Sequence, residues 1–148
     1  MKRNDAGATA PEPKHHLPPT EDHAADTDIL DSDIGPFFDT TTLSRWLGVS
    51  RQAIYLLRRQ RVMLAITTLD RRLAFPAWQF GPAKELLPAL PEVLELLDPA
   101  DKDPVGSALW LNASAREFDG ATPAELLRRG DRDAVIVVAR RIAAAWLT

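Results

Sequence analysis

A cluster of side chains suited to touching nucleic acid falls at helical spacing inside residues 40–61, TTTLSRWLGVSRQAIYLLRRQR. Arg51, Gln52, Tyr55 and Arg59 share the outward face of a predicted helix, and Arg58 lies at its edge. Guanidinium groups pair with phosphate oxygens and with guanine edges, while glutamine can bridge the edge of adenine. Ser50 precedes them as a predicted N-cap, its hydroxyl accepting from a free backbone N–H one turn on. Further along, Arg71 and Arg72 fall at or near the predicted tip of a hairpin, where they could meet the phosphate backbone or the minor groove. The candidate DNA contacts are therefore Ser50, Arg51, Gln52, Tyr55, Arg58, Arg59, Arg71 and Arg72.

The elements that must position these side chains can be read around them. Gly48 supplies the positive φ of a tight turn between two helices. Leu43, Leu47, Val49, Ala53, Ile54 and Leu57 are spaced to form the apolar stripe between the pair. Thr40 or Thr41 is the expected cap of the first helix. Trp46 is expected in the core, and Phe37-Phe38 beneath the first helix. Residues 64–68 alternate apolar and polar and read as a strand, and residues 73–75 as its return. This is a helix-turn-helix followed by a basic hairpin, or wing. The alternative is an ordinary αα-hairpin with a solvated basic face. Trp78 and Phe80 are expected to seal the underside of the wing, and Gly81-Pro82 to end the module.

LGVSRQ at 47–52, with Ile54, Tyr55 and Leu57 after it, resembles the helix-turn-helix of the MerR and excisionase group. The resemblance runs over residues 40–76. MerR-type hairpins often turn on a glycine. Here the turn is Leu69-Asp70-Arg71, which leaves the length and shape of the wing open.

Charge follows the same division. The 148 residues carry a net charge of −3, which excludes a generally basic nucleic-acid coat protein. Residues 37–80, however, hold seven arginines against Asp39 and Asp70. Residues 1–36 hold three Lys/Arg against eight Asp/Glu, and residues 81–148 hold eight against eleven. The first 36 residues are rich in Pro, Ala and Asp and read as a disordered acidic tail, with Ile29, Leu30 and Ile34 able to dock before the domain. His15, His16 and His23 all lie in that tail, on no predicted rigid element, and are read as solvated rather than as metal ligands. There is no cysteine, which excludes disulfides, thiolate metal sites and cysteine nucleophiles. No apolar run is long enough to span a bilayer and no signal core is present, so a cytoplasmic protein is expected. No nucleophile–base pair, glycine-rich phosphate loop or metal-ligand spacing sits on a predicted rigid element, so neither an enzyme nor a cofactor is expected.

Residues 81–148 read as a small helical bundle. Short helices are expected over 82–87 and 91–97, then a loop at 98–101. A third helix starts at Asp103-Pro104 and a fourth at Thr122-Pro123-Ala124-Glu125, a capping box, and ends at Gly130. The last helix places Val135, Val138, Ala139, Ile142 and Trp146 on one face. Its other side still holds Ile136, Val137, Ala144 and Leu147 around Arg140 and Arg141. Either a partner covers that second side, or the helix is central to the bundle. The overall expectation is a mainly α protein, an N-terminal winged helix-turn-helix with a small β-hairpin joined to a helical C-terminal domain.

ALWLN at 108–112, DGATPAELLRRGD at 119–131 and AVIVVARRIAAAW at 134–146 resemble the toxin-binding domain of Xre/MbcA/ParS-type antitoxins. PAWQF at 76–80 and LPEVLELL at 90–97 look like members that join that domain to a DNA-binding module. The resemblance implies an antitoxin that occludes the active site of a NAD-degrading RES-domain toxin, represses its own operon by binding operator DNA, and forms a homo-oligomer. It implies toxin contacts at Trp110, Leu111, Arg140, Arg141, Ala144, Trp146 and Leu147. The winged module departs from the family's usual Xre-like helical bundle, so operator geometry does not transfer. The alternative is a stand-alone DNA-binding regulator whose C-terminal helices serve to dimerise.

Overall fold

The computed structural model describes residues 33–146, with side chains through residue 145. The fold is mainly helical around one small three-stranded antiparallel sheet. Strand β1 (Phe37–Phe38) leads into helices α1 (Thr40–Leu47) and α2 (Arg51–Arg59). Strands β2 (Ile66–Thr67) and β3 (Leu73–Pro76) form the hairpin, followed by a 3-10 turn (Ala77–Gln79). Helices α3 (Leu90–Leu97), α4 (Pro104–Leu111), α5 (Pro123–Arg128) and α6 (Arg132–Trp146) complete the chain, with a second 3-10 turn (Arg116–Phe118) between α4 and α5. None of the described helices is long and apolar enough to cross a membrane.

The sheet runs β1-β3-β2, with Phe37 opposite Pro76, Phe38 opposite Phe75, Ile66 opposite Ala74 and Thr67 opposite Leu73. Successive strand side chains point to opposite faces. Phe38 and Phe75 therefore join Leu43, Ile54, Met63, Ala65 and Phe80 in a core under the helix-turn-helix. Phe37, Ile66 and Ala74 point the other way, into a larger core with Leu90, Val93, Leu94, Leu111, Leu127 and Val135 from the C-terminal helices. Phe37-Phe38 is thus a third strand rather than packing below α1 alone. Gly81-Pro82 ends the sheet module, yet apolar packing runs straight across that point.

Several local signals form as their chemistry dictates. Gly48 caps α1 at φ 73°, its N–H donating to Ser44 O at 2.9 Å, with open space where a Cβ would stand. Ser50 accepts from Ala53 N–H at 3.1 Å and starts α2. Asp103 caps α4 by accepting from Gly106 N–H at 2.9 Å. Thr122 and Glu125 close the capping box of α5, at 3.0 Å and 2.8 Å. The bond from Thr122 N–H, first among the causes, holds the Glu125 carboxyl below the usual glutamate range. The stability this box contributes is present above the unfolded glutamate value and is lost as pH falls through the lowered folded one.

Other expectations are corrected. The cap of α1 is Asp39, which accepts from Thr42 N–H at 2.7 Å, not Thr40 or Thr41. Residues 82–87 form no helix. Gly81 N–H donates to Glu85 O at 2.7 Å, Lys84 adopts φ 67°, and Leu86 bridges Phe80, so the backbone is satisfied in a turn. Residues 33–36 belong to the fold, not to a tail: Ile34 is buried and its carbonyl accepts from Trp78 Nε1 at 3.0 Å. The expectations for the remainder of the tail, its histidines included, lie outside the described residues. Val49 is exposed rather than part of the stripe, because the chain has already left α1 and not yet entered α2. Of the two alternatives for α6, the chain's own bundle covers Ile136, which is core, while Val137 stays exposed.

The strand expected over 64–68 is only Ile66–Thr67 because a side chain takes over the ladder at Leu64. Gln79 is wholly buried; its Oε1 accepts from Leu64 N–H at 2.7 Å, and its Nε2 donates to Leu64 O at 2.8 Å and Pro76 O at 3.1 Å. Its amide acts as a missing strand residue. Replacing Gln79 by Ala leaves the Leu64 N–H and C=O buried without that partner, and the expected loss is about 2–4 kcal/mol. Urea unfolding at constant m-value measures it; a loss below about 1 kcal/mol would show that the backbone finds other partners.

Candidate nucleic-acid interface

Helix α2 presents Arg51, Gln52, Tyr55, Leu56 and Arg59 to solvent, and Gln60, just after it, is exposed too. Its opposite side is anchored by Ile54, which is wholly buried, and by half-buried Ala53 and Leu57. The exposed arc is strongly polar, apart from Leu56, and holds two full positive charges. Arg51 Nη1 reaches Thr41 Oγ1 at 3.3 Å, which ties the start of α2 to the start of α1 while leaving the side chain exposed. Arg58 is half-buried at the edge and borders a crevice with Arg61, Leu94 and Asp101. It is the least available of the expected contacts on α2. Ser50 is exposed, but its side chain is committed to capping.

The hairpin lies beside α2. A cleft of about 550 Å³ is lined by Asp39, Thr40, Thr41, Tyr55, Arg71, Arg72 and Leu73. It brings together one residue of α2, the first turn of α1 and the tip of the wing. The tip is a three-residue loop: Arg71 N–H donates to Thr68 O at 2.9 Å, and Thr68 N–H to Arg72 O at 2.9 Å. That loop needs a left-handed residue in its third position. Here it is Arg71, at φ 65°, where glycine would be unstrained. Both arginines are exposed, and Arg72 Nε lies 3.6 Å from Asp70 Oδ2. Among the described residues, no His, Asp or Glu cluster could hold a metal ion.

No family model and no curated protein matches the chain. An NMR structure of Rv2175c is similar to it, with a TM-score of 0.64 and 20% identity, over 78% of this chain and 86% of that one. At that identity the likeness is one of fold. It covers more of the chain than either the winged module or the C-terminal helices alone make up.

The second expected set of contacts is divided by burial. Leu111 is wholly buried among the C-terminal helices and cannot meet a partner; position four of an amphipathic turn from Ser107 and Ala108 faces inward. Trp110 is half-buried and lines a cavity of about 270 Å³ with Leu97, Asp98, Asp103, Gly106, Ser107 and Ile142. Arg140, Arg141 and Ala144 are exposed on α6. The Trp146 side chain and Leu147 lie outside the described residues. Leu56, Gln60 and Leu69 are exposed near the arginines and were not singled out from the sequence. Leu56 follows Gln52 by four residues, so helical spacing alone placed it on the same face.

Strain at Arg71 separates structure from binding. Arg71→Gly relieves the left-handed side chain and offsets glycine's greater freedom in the unfolded chain, so the melting temperature is expected to hold or rise. The same change removes a cation, so if the wing contacts DNA, affinity is expected to fall several-fold. Calorimetry beside fluorescence anisotropy checks both; a variant that melts several degrees lower would assign Arg71 to the fold.

Proposed function

We propose that this protein is a winged-helix DNA-binding regulator of transcription. Helix α2 reads base edges in the major groove, and the wing grips the backbone next to it. The observation that carries this reading is the cleft that joins Tyr55 of α2 to Arg71 and Arg72 of the wing, on the side where Arg51, Gln52 and Arg59 are exposed. The concentration of seven arginines in residues 37–80 of an acidic protein supports it. Operator DNA is the partner on this reading, and the cytoplasm the place of action.

A second reading, neutralisation of a RES-domain toxin by an antitoxin, has one observation in its favour. Val137 on α6 is 54% exposed, on the helix that also exposes Arg140, Arg141 and Ala144. A toxin, or a second copy of the chain, would cover that strip. Leu111 drops out of any such contact. Val137→Asp is expected to abolish rescue of growth from a co-expressed RES-domain toxin while DNA binding persists; absence of rescue by the wild-type protein would remove the antitoxin reading.

For DNA, duplexes recovered from a random pool by the full chain supply the probe. Arg59→Ala is expected to weaken binding and to reduce the slope of log K against log salt by about 1, the loss of one phosphate contact. Unchanged affinity and slope in both Arg59→Ala and Arg51→Ala would exclude α2 as the reader.

A further inference from the structure

The wing carries one side chain that phosphate binding does not explain. Leu69 is 66% exposed, the most exposed large apolar side chain among the described residues. A single exposed leucine on a protein surface is ordinary. This one stands first in the bonded three-residue loop at the hairpin tip, between Thr68 and the exposed arginines 71 and 72. The loop's acid is exposed but engaged: Asp70 accepts from Thr68 Oγ1 and pairs with Arg72. The apex therefore combines an exposed apolar side chain, on a hydrogen-bonded loop, with two nearby cations. Its own carboxylate is occupied within the turn.

We infer that Leu69 is an apolar wedge that enters the minor groove of bound DNA, opens a base step and bends the duplex. The inference rests on the DNA-binding reading above and adds the mode of engagement at the wing. Charge complementarity names the occupant. Arg71 and Arg72 are drawn to the phosphates on either side of a groove, and that attraction carries Leu69 against the base edges between them. There its apolar surface leaves water. Proteins that insert aliphatic side chains between base steps kink the duplex away from the inserted side. The deformation costs least at flexible pyrimidine–purine steps, so the wing is expected to favour TpA or CpA at its position, without hydrogen bonds to those bases.

The test uses the full chain and a short duplex recovered by selection, with a donor and an acceptor dye at its two ends. Wild-type protein is expected to raise energy transfer on binding, by a bend of about 20–90°. Leu69→Ala is expected to bind about tenfold more weakly. At saturation its complex should return transfer to the level of free DNA. Leu69→Met keeps an aliphatic wedge and should keep the bend. Arg71→Ala should weaken binding, yet leave the bound duplex bent. Circular dichroism melting of Leu69→Ala, unchanged for so exposed a residue, excludes a folding defect. A wild-type complex with unbent DNA, or a Leu69→Ala complex bent as much as wild type, overturns the wedge and leaves the DNA-binding reading standing. Failure of the wild-type protein to bind any duplex overturns both.

Discussion

Two adjacent phenylalanines face in opposite directions, and most of the architecture follows from that. In a strand, residues 37 and 38 cannot share a face. Phe38 lies on the helix-turn-helix side, stacked on Trp46 with ring centroids 4.9 Å apart and edge-on to Phe80 at 6.1 Å. Phe37 lies on the C-terminal side with Ile66, Ala74 and Leu90. A sheet only three strands wide is buried on both faces. Neither face could be left to water without exposing aromatic or aliphatic surface at roughly 25 cal/mol per Å². The C-terminal helices are therefore part of what holds the wing in place. Arg61 Nη2 donates to Leu94 O at 3.2 Å, and Arg128 Nη2 to Trp78 O at 2.7 Å, binding the two halves further.

What was legible in the sequence was local. Caps at Ser50, Asp103 and Thr122, the turn at Gly48 and the outward face of α2 depend on residues within one or two turns of each other. The hairpin was legible because β-strand alternation and a polar turn are also short-range. The failures share the opposite property. Gln79 and Leu64 are fifteen residues apart, and no periodicity announces a side-chain amide standing in for a strand. Leu111 is expected at a surface only because a resemblance implies it, and helical periodicity leaves the cover over Ile136 open, whereas burial is decided by which other elements arrive. The turn over residues 81–86 has helix-compatible composition, but the backbone finds partners in Phe80 and in its own loop.

The candidate interface couples two elements that the chain could have left independent. Helix α2 is held against β3 and α1 by Ile54, Leu43 and Phe75, all wholly buried, so its angle to the sheet is set by a packed core. The hairpin extends from that same sheet. Helix α2 and the wing are therefore positioned by one packed core, and on the DNA-binding reading a duplex would have to fit both at once. Strain at Arg71 belongs to this geometry. A left-handed residue closes the loop, and a glycine would do so at less cost in the folded state. An arginine there gives up some backbone stability and keeps a cation at the apex.

Fourteen arginines against four lysines make charge a poor guide to role until the fold separates them. Arg61, Arg128 and Arg132 are spent on the protein: the first two donate to backbone carbonyls of distant elements, and the third pairs with Glu92 across from α6 to α3. Their planar forks suit such multi-partner contacts better than a lysine would. Arg51, Arg59, Arg71 and Arg72 remain exposed on the helix-turn-helix and its wing. The field a duplex would meet is thus set by fewer charges than the sequence holds, concentrated on one module. On the other, Asp103 and Glu125 sit at helix starts, and Glu92, Glu95, Asp101, Asp131 and Asp133 lie in ion pairs. A net charge of −3 is compatible with phosphate recognition for that reason: attraction is set by the nearest charges within a Debye length of about 8–10 Å, not by the total.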